Sequence, residues 1–187
     1  MRRKEQVEKR LIESFKELAK KNPIEKITIQ EITDGAGVIR PTFYNHFQDK
    51  YQLLEHIFVS EVIYPVKPLI HNDMLNEAVV LICVQMQKDR EFYGRVYRME
   101  GQNSFESIVK KCLYETILEL VDISSGNKVS RHRLLSHEML ASYYAEFLGF
   151  IMITWIKDGM VVSPQEMQEL FNYIKDHSLY EVIKDME

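Results

Sequence analysis

The stretch TIQEITDGAGVIRPTFYNHF, residues 28–47, decides the fold of this chain. Thr28 can accept a hydrogen bond from a free N–H of a helix's first turn, and Glu31 follows at the spacing of a capping box. Ile29 and Ile32 then point into a core from one side of a short helix. The first third of the stretch therefore predicts a helix of under two turns with a well-specified start.

A sharp turn and a second short helix follow. Gly35 and Gly37 permit the left-handed backbone that a tight helix exit needs, and Val38 is suited to fill the angle between the helices. The residue before a proline is steered away from helical angles, so we expect Arg40 to be the cap and Pro41 the first helical residue. The pattern predicts a helix-turn-helix.

The second helix has an apolar face and a polar face. At about 100° per residue, Phe43 and Phe47 point inward. The outward residues are Pro41, Thr42 and Asn45 at the centre, with Tyr44 on one edge and His46 on the other. Small polar residues between two polar edges fit the major groove of duplex DNA, with base edges ahead and phosphates on both sides. Lys50, in the next helix, can add a positive charge near a phosphate.

Composition supports a helix-rich globular protein that keeps any polyanion contact at one end. The chain has 187 residues, 45% apolar and 28% charged, and a net charge of −4. Residues 1–58 carry 11 Lys and Arg against 9 Asp and Glu, whereas the remainder carries 13 against 19. Because neutralising phosphates needs cations, the N-terminal third is the part suited to nucleic acid.

Three further features predict a cytoplasmic protein without a membrane segment. The N-terminus lacks the apolar run of a secretory signal. The longest nearly unbroken apolar run, residues 147–156, is shorter than the ~20 residues of a membrane-spanning helix and is interpreted as a buried helix. Cys83 and Cys112 stand alone on apolar helical patterns and are interpreted as core residues.

The rest of the chain predicts helices only, so the fold class is all-α. An amphipathic helix over residues 3–21 precedes the helix-turn-helix, and a longer helix begins at Asp49 and is expected to end at Pro65 and Pro68. Further helices are expected over 72–88, 89–99, 103–122, 131–158 and 164–178, with a break at Gly126-Asn127 among others. We place a DNA-binding domain in residues 1–66 and an effector-binding and dimerisation domain in residues 67–187.

The last two predicted helices carry more apolar surface than one contact needs. Residues 134–155 are apolar on more than one side, and residues 167–174 form a second apolar stripe. These surfaces can pack against a second copy of the chain, giving a homodimer, or lie inside one fold. Aromatic residues of this region can line an effector pocket or be ordinary core; they are Tyr93, Tyr143, Tyr144, Phe147 and Trp155.

With these motifs in place, residues 3–60 resemble the DNA-binding domain of TetR-family transcriptional regulators. The resemblance rests on residues 28–32, 35–38, 42–47 and 49–50, in the family's order and spacing. It implies an all-helical homodimer that binds double-stranded operator DNA, usually as a repressor controlled by a small molecule or a partner protein. By position it implies phosphate contacts from Thr28, Tyr44, His46 and Lys50, and base or groove contacts from Gln30, Arg40, Pro41, Thr42 and Asn45.

Two details refine the resemblance. Ile39 departs from the family, whose members often carry Ser or Thr there as the cap of the recognition helix; Arg40 can compensate by bonding a guanine edge. Residues 89–93 and 155–160, with Ser163-Pro164 and Met167, are similar to a subgroup that includes regulators of dihydroxyacetone kinase operons. Some members of that subgroup recruit a protein coactivator, so an activator without a small-molecule effector stays open.

Other classes of protein have weaker support. An enzyme would need acid, base or nucleophile candidates at informative spacing, and the sequence offers none, nor any cofactor motif or metal-ligand spacing. A helical protein-interaction module that kept the fold without reading DNA is the more serious alternative. Against it, the polar residues on the outward face of the second helix have no packing reason to be together.

Overall fold

The computed structural model describes residues 3–125, 132–177, 181 and 184, and all regular structure among them is helical. The α-helices are α1 Arg3–Lys21, α2 Ile29–Ala36, α3 Arg40–Tyr44, α4 Lys50–Phe58, α5 Tyr64–His71, α6 Leu75–Lys88, α7 Arg90–Val96, α8 Phe105–Ser125, α9 His137–Lys157 and α10 Pro164–Asp176. The all-α prediction is confirmed. The helix limits expected at residues 131 and 178, and the Gly126-Asn127 break, lie outside the described residues.

The N-terminal three-helix head is built on the apolar stripe of α1. Leu11 and Phe15 of α1 are fully buried, as are Ile32 of α2 and Phe43 of α3. The capping box at the start of α2 is confirmed: the Glu31 N–H donates to Thr28 Oγ1 at 3.2 Å, and the Thr28 N–H donates to Glu31 Oε2 at 2.8 Å. The local sequence thus fixes where α2 begins, and burial fixes how it lies on α1.

The two glycines of the turn have different functions. Gly37 ends α2 with φ of 63°, the left-handed conformation that was expected. Gly35 lies within α2 instead, and a Cβ there would stand 2.3 Å from Ser14 Oγ, so it permits α2 to approach α1 closely. Ser14 Oγ donates to the Ile32 carbonyl at 2.8 Å across this contact. The expectation of a left-handed Gly35 is therefore wrong.

The proline pair does not end the helix that begins after Asp49. A π-helical turn, Val59–Ile63, joins α4 to α5, and both Pro65 and Pro68 lie within α5. The Tyr64 N–H reaches back to the Val59 carbonyl, one residue further than in an α-helix. This wider turn directly precedes Pro65, where the ring would otherwise meet the carbonyl four residues earlier. The expected termination at the prolines is wrong, and the helical path continues to His71.

One cluster of buried side chains runs from the N-terminal head into the C-terminal helices. Phe15 of α1 meets Phe92 of α7 edge to face at 6.3 Å between ring centroids. Phe58 of α4 meets Phe105 of α8 in the same way at 5.5 Å. The head is therefore packed against the C-terminal helices rather than tethered to them.

Helices α6, α8, α9 and α10 form the C-terminal body. Packing of α8 against α9 is close at Gly149, where a Cβ would come within 2.9 Å of Lys110 Cγ. The capping box of Ser163 and Glu166 begins α10, with Pro164 in its first turn as expected. Cys83 and Cys112 are buried and unpaired, as expected, and burial raises the pKa of each thiol to about 12.

The surface of α9 carries a broad apolar face. This helix has 21 residues and a mean hydropathy of 1.4 over its most apolar window, of which 33% is buried. By length and composition alone it could cross a membrane, a test that core helices of soluble proteins also pass. The expectation based on residues 147–156 counted too short a segment. Aromatic side chains dominate the exposed side: Tyr143, Tyr144, Phe147 and Phe150.

Candidate nucleic-acid interface

The recognition helix α3 begins one residue earlier than expected. Ile39 is its N-cap, with φ of −91° and ψ of 153°, and Arg40 is already helical. Pro41 is tolerated as the second helical residue because N–H groups of the first turn have no partner within the helix. The prediction that Arg40 caps the helix is wrong, and the cap is an isoleucine whose side chain makes no capping hydrogen bond.

The division of α3 into two faces is confirmed for most positions. Phe43 is fully buried and Phe47 is 5% exposed, whereas Arg40, Pro41 and Asn45 are exposed and Thr42 is half-buried. Arg40 and Tyr44 interact on the outward face: Nη2 donates to the Tyr44 hydroxyl at 3.2 Å, and the guanidinium lies 6.0 Å from the ring centre. This contact holds a cation and a phenol together at the rim of the face.

His46 does not lie on the exposed edge that helical phase predicted. Its side chain is only 7% exposed, and Nδ1 lies 3.7 Å from Glu8 Oε2 of α1. The chain tightens after α3, where the His46 N–H donates to the Phe43 carbonyl three residues back. Glu8 also contacts His56 Nε2 at 2.6 Å, so His46 lies among side chains of α1 and α4. The predicted edge position is wrong, and a phosphate contact from His46 stays a prediction.

The other predicted DNA contacts lie at the start of α2 and the start of α4. Thr28 is exposed, and its hydroxyl donates to Glu31 Oε2 at 2.8 Å. Gln30 is exposed and its amide donates to Asp34 Oδ1 at 2.7 Å. Lys50 Nζ donates to the Glu25 and Ile27 carbonyls, both at 2.8 Å. These two hydrogen bonds tie α4 to the segment before α2. Partial burial lowers the pKa of the Lys50 ammonium.

Arg10 of α1 lies beside the helix-turn-helix, a position that was not predicted. Arg10 Nη1 would lie 3.8 Å from a Cβ at Gly37, so its guanidinium borders the turn. Arg10 also lines an open groove shared with Lys9, Ile39 and Thr42. Its position in an amphipathic pattern indicated only a solvent-facing residue, because the sequence does not say which side of α1 faces the turn.

The predicted effector residues do not form one site. Trp155 lines an apolar cavity of about 90 Å³ between α6, α8, α9 and α10. Tyr93 is 1% exposed and packs against Phe92 and Phe105 instead. The exposed side of α9 carries the remaining three: Tyr143, Tyr144 and Phe147. The expected grouping is therefore wrong, because α9 has two apolar sides and only one faces the cavity.

Sequence reasoning missed most of the cavity wall. The wall residues that were not predicted are Val79, Ile82, Cys83, Leu113, Leu148, Ile151, Met152, Met167, Leu170 and Phe171. The spacing of Val79, Ile82 and Cys83 on α6 was a usable signal for one wall. The Trp155 indole N–H donates to the Val162 carbonyl at 2.9 Å, so the polar atom of this ring already has a partner. Burial raises the pKa of the Cys83 thiol to about 12, so this wall is uncharged.

Helix α3 presents an exposed polar face and packs in the head with α1 and α2. The head lies next to a helical body that contains an apolar cavity. This arrangement defines a helix-turn-helix protein with a separate regulatory part. Comparison with known proteins agrees. The family described as "Bacterial regulatory proteins, tetR family" matches residues 11–57, and the "Transcriptional regulator C-terminal region" matches residues 73–180. The chain belongs to the TetR family of bacterial transcriptional regulators.

Individual relatives are distant. The HTH-type dhaKLM operon transcriptional activator DhaS of Lactococcus lactis subsp. lactis (strain IL1403) is 22% identical over 125 residues, which cover 67% of this chain and 65% of that protein. A solved structure of a dihydroxyacetone kinase operon activator DhaS is 20% identical, with a TM-score of 0.56 over 91% of this chain and 92% of that one. Thermus thermophilus FadR, a TetR-family repressor in complex with lauroyl-CoA, is 15% identical, with a TM-score of 0.60 over 87% and 89%. At these identities the structures are similar in fold alone.

Proposed function

We propose that this protein is a sequence-specific DNA-binding transcriptional regulator that works as a homodimer in the bacterial cytoplasm. The observation that carries the proposal is the outward face of α3, where Arg40, Tyr44 and Asn45 are exposed above the buried Phe43. Polar side chains on a helix that is fixed from behind are suited to enter a major groove. Residues 1–66 would bind the operator and residues 67–187 would bind the effector and the second subunit.

Contacts to DNA divide by position. Arg40, Pro41, Thr42 and Asn45 lie where base edges would be, with Gln30 beside them. Thr28, Tyr44, His46 and Lys50 are proposed for the phosphates, and Arg10 is added because it borders an open groove together with Thr42. Phosphate contacts set affinity and register, whereas base-edge contacts set sequence preference.

Selection from a random duplex library tests the proposal directly. We expect the purified protein to enrich one sequence motif, and Arg40→Ala to relax the preference at one base pair by about 1–3 kcal/mol. Gln48→Ala is the matched control, because Gln48 is exposed in the same head but follows α3. Failure to enrich any motif would favour the helical protein-interaction module instead.

The effector is proposed to bind in the cavity around Trp155. Its walls are aliphatic, aromatic and sulfur-bearing side chains, so it favours an uncharged, apolar molecule or the apolar part of a larger one. A TetR-family repressor similar in fold has been solved in complex with lauroyl-CoA, a ligand that carries an apolar acyl chain. An effector changes DNA binding only if it prefers one arrangement of the domains.

Trp155 makes this testable because it is the sole tryptophan of the chain. We expect titration with medium-chain fatty alcohols or fatty acids to change the tryptophan emission, and Cys83→Phe or Leu113→Phe to block the change by filling the cavity without adding a second tryptophan. Leu134→Phe is the control, since Leu134 is exposed and away from the cavity wall. An emission unchanged by every such probe would favour a partner protein as the effector.

The direction of regulation has two candidates. A repressor that an effector releases from DNA is the usual mode of the family and is our first proposal. The similarity to an operon activator named DhaS favours a second, in which a partner protein bound to residues 67–187 turns the regulator into an activator. Transcription in a bacterial cell extract, from a promoter that carries the selected duplex, separates them. Added protein lowers the transcript in the first case and, with the partner supplied by the extract, raises it in the second.

A further inference from the structure

Ile39 occupies a position where neither folding nor solubility favours it. As the N-cap of α3 it makes no side-chain hydrogen bond, although Ser, Thr, Asn and Asp would supply one. Its side chain is also 70% exposed, against 49% for Tyr44, the other exposed large apolar residue within residues 3–58. One residue thus combines a missing cap with an uncovered branched aliphatic group.

Packing within the head does not account for this choice. The neighbouring Val38 packs against the buried core, and Ile39 does not. Ile39 instead borders the open groove that runs between α1 and the start of α3, with Arg10 and Thr42 on its sides. The Ile39 carbonyl accepts the Thr42 N–H at 2.9 Å, which fixes the backbone and hence the direction of the side chain.

The surroundings of Ile39 point to the ligand that covers it. Arg40 and Asn45, the exposed polar residues of α3, lie on the outward face that follows this cap. A duplex that accepts them in its major groove brings its base edges up to Ile39 as well. The groove presents a single apolar group there, the C5-methyl of thymine. Burying an exposed aliphatic side chain against a methyl is favourable, whereas a polar base edge would lose its water without gaining a partner.

We propose that Ile39 is a specificity-determining residue that reads the C5-methyl group of one thymine in each half of the bound duplex. This inference rests on the proposed function, since it needs α3 in the major groove. The inference explains why α3 begins without a capping side chain: the N-cap position carries an apolar residue that contacts a base instead.

The test replaces thymine by deoxyuridine, which lacks only that methyl group. In the duplex selected by the wild-type protein, each dT is changed to dU in turn, symmetry-related positions are changed together, and the dissociation constant is measured. We expect one position at which binding weakens about fourfold for each half of the duplex, the equivalent of about 0.8 kcal/mol for one buried methyl. Every other thymine serves as an internal control.

Two variants at the same position complete the test. Ile39→Val keeps a branched aliphatic group and should keep the preference for dT over dU. Ile39→Ser should bind dT and dU duplexes equally at that position and should unfold at a higher urea concentration, because serine restores the cap. Circular dichroism of each variant checks that the helices are intact.

Several results would overturn the inference. If wild type and Ile39→Ser show the same dT-to-dU ratio at every position, Ile39 reads no methyl. If Ile39→Ser weakens binding to dT and dU duplexes alike, the side chain contacts the sugar-phosphate backbone. If the wild-type protein enriches no duplex at all, the proposed DNA binding itself fails, which is a different outcome from a uniform ratio on an enriched duplex.

Discussion

At the scale of single residues, the head uses several side chains twice. Thr28 caps α2 and is a candidate for a phosphate contact, and Arg40 pairs with Tyr44 on the face proposed for DNA. Lys50 is the clearest case, because two of its three N–H donors hold backbone carbonyls of the segment before α2. The resemblance to the TetR family implies only a DNA contact from Lys50. Its hydrogen bonds show that Lys50 also stabilises the head.

Lys50→Met separates the two roles. Loss of both donors should lower the free energy of unfolding by about 1–3 kcal/mol, measured by urea denaturation, because the Glu25 and Ile27 carbonyls lose a charged partner. If the third N–H reaches a phosphate, the slope of log K against log salt should also fall by about one unit. Lys26→Met, at an exposed lysine of the neighbouring 3₁₀ turn, should change stability by less than about 0.5 kcal/mol. A stability loss with an unaltered slope would rule out the phosphate contact.

At the scale of elements, the sequence correctly predicted the features that depend on neighbouring residues alone, such as helix caps and turns. The capping box of Thr28 and Glu31, the left-handed Gly37 and the inward Phe43 and Phe47 follow from spacing alone. The errors have other causes. Pro41 fits the second position of α3 because first-turn N–H groups lack partners in any case, so the rule for residues before proline misplaced the cap by one. The π-turn before Pro65 lets the helical path pass a proline that was expected to end it. The contact of His46 with Glu8 depends on packing between distant parts of the chain.

The π-turn also supplies a carboxylate to an ion-pair cluster between α1 and the start of α7. Lys16 of α1 is 12% exposed, and its ammonium lies 2.5 Å from carboxylate oxygens of Glu61 in the π-turn and Asp89 before α7. It also lies 5.5 Å from the centre of the Phe92 ring. One cation therefore joins α1, the π-turn and the start of α7.

Lys16→Met should lower the free energy of unfolding by about 1–3 kcal/mol, because it leaves two carboxylates together without a counter-charge. Adding Glu61→Gln and Asp89→Asn should recover part of the loss, which a mutant cycle measures by urea denaturation. Lys20→Met removes only the exposed pair with Glu17 and should change stability by less than about 0.5 kcal/mol. Strictly additive effects of the three substitutions would show that the cluster does not act as a unit.

At the scale of the whole molecule, one face of α9 is left exposed by the described part of the chain. Tyr143, Tyr144, Phe147 and Phe150 are 46%, 56%, 41% and 67% exposed. Leu170 of α10 and Val162 before it are also exposed, at 40% and 43%. The sequence showed that α9 had surplus apolar surface but could not say which side would remain uncovered, because that depends on how α8 and α10 pack against it. Exposed apolar side chains in this number on one helix favour a second copy of the chain as their partner.

Phe150→Glu tests this interface. We expect the wild-type protein to sediment at twice the chain mass of 22.2 kDa and the variant at the chain mass, because a carboxylate at the centre of an apolar contact loses its water without a partner. Affinity for the selected duplex should fall at least about 100-fold, since a monomer engages only one half of it. Tyr64→Glu, at a side chain 71% exposed on α5, is the matched control and should stay dimeric. A wild-type protein that sediments at the chain mass would remove the dimer, and one that partitions into lipid vesicles would assign the α9 face to a membrane.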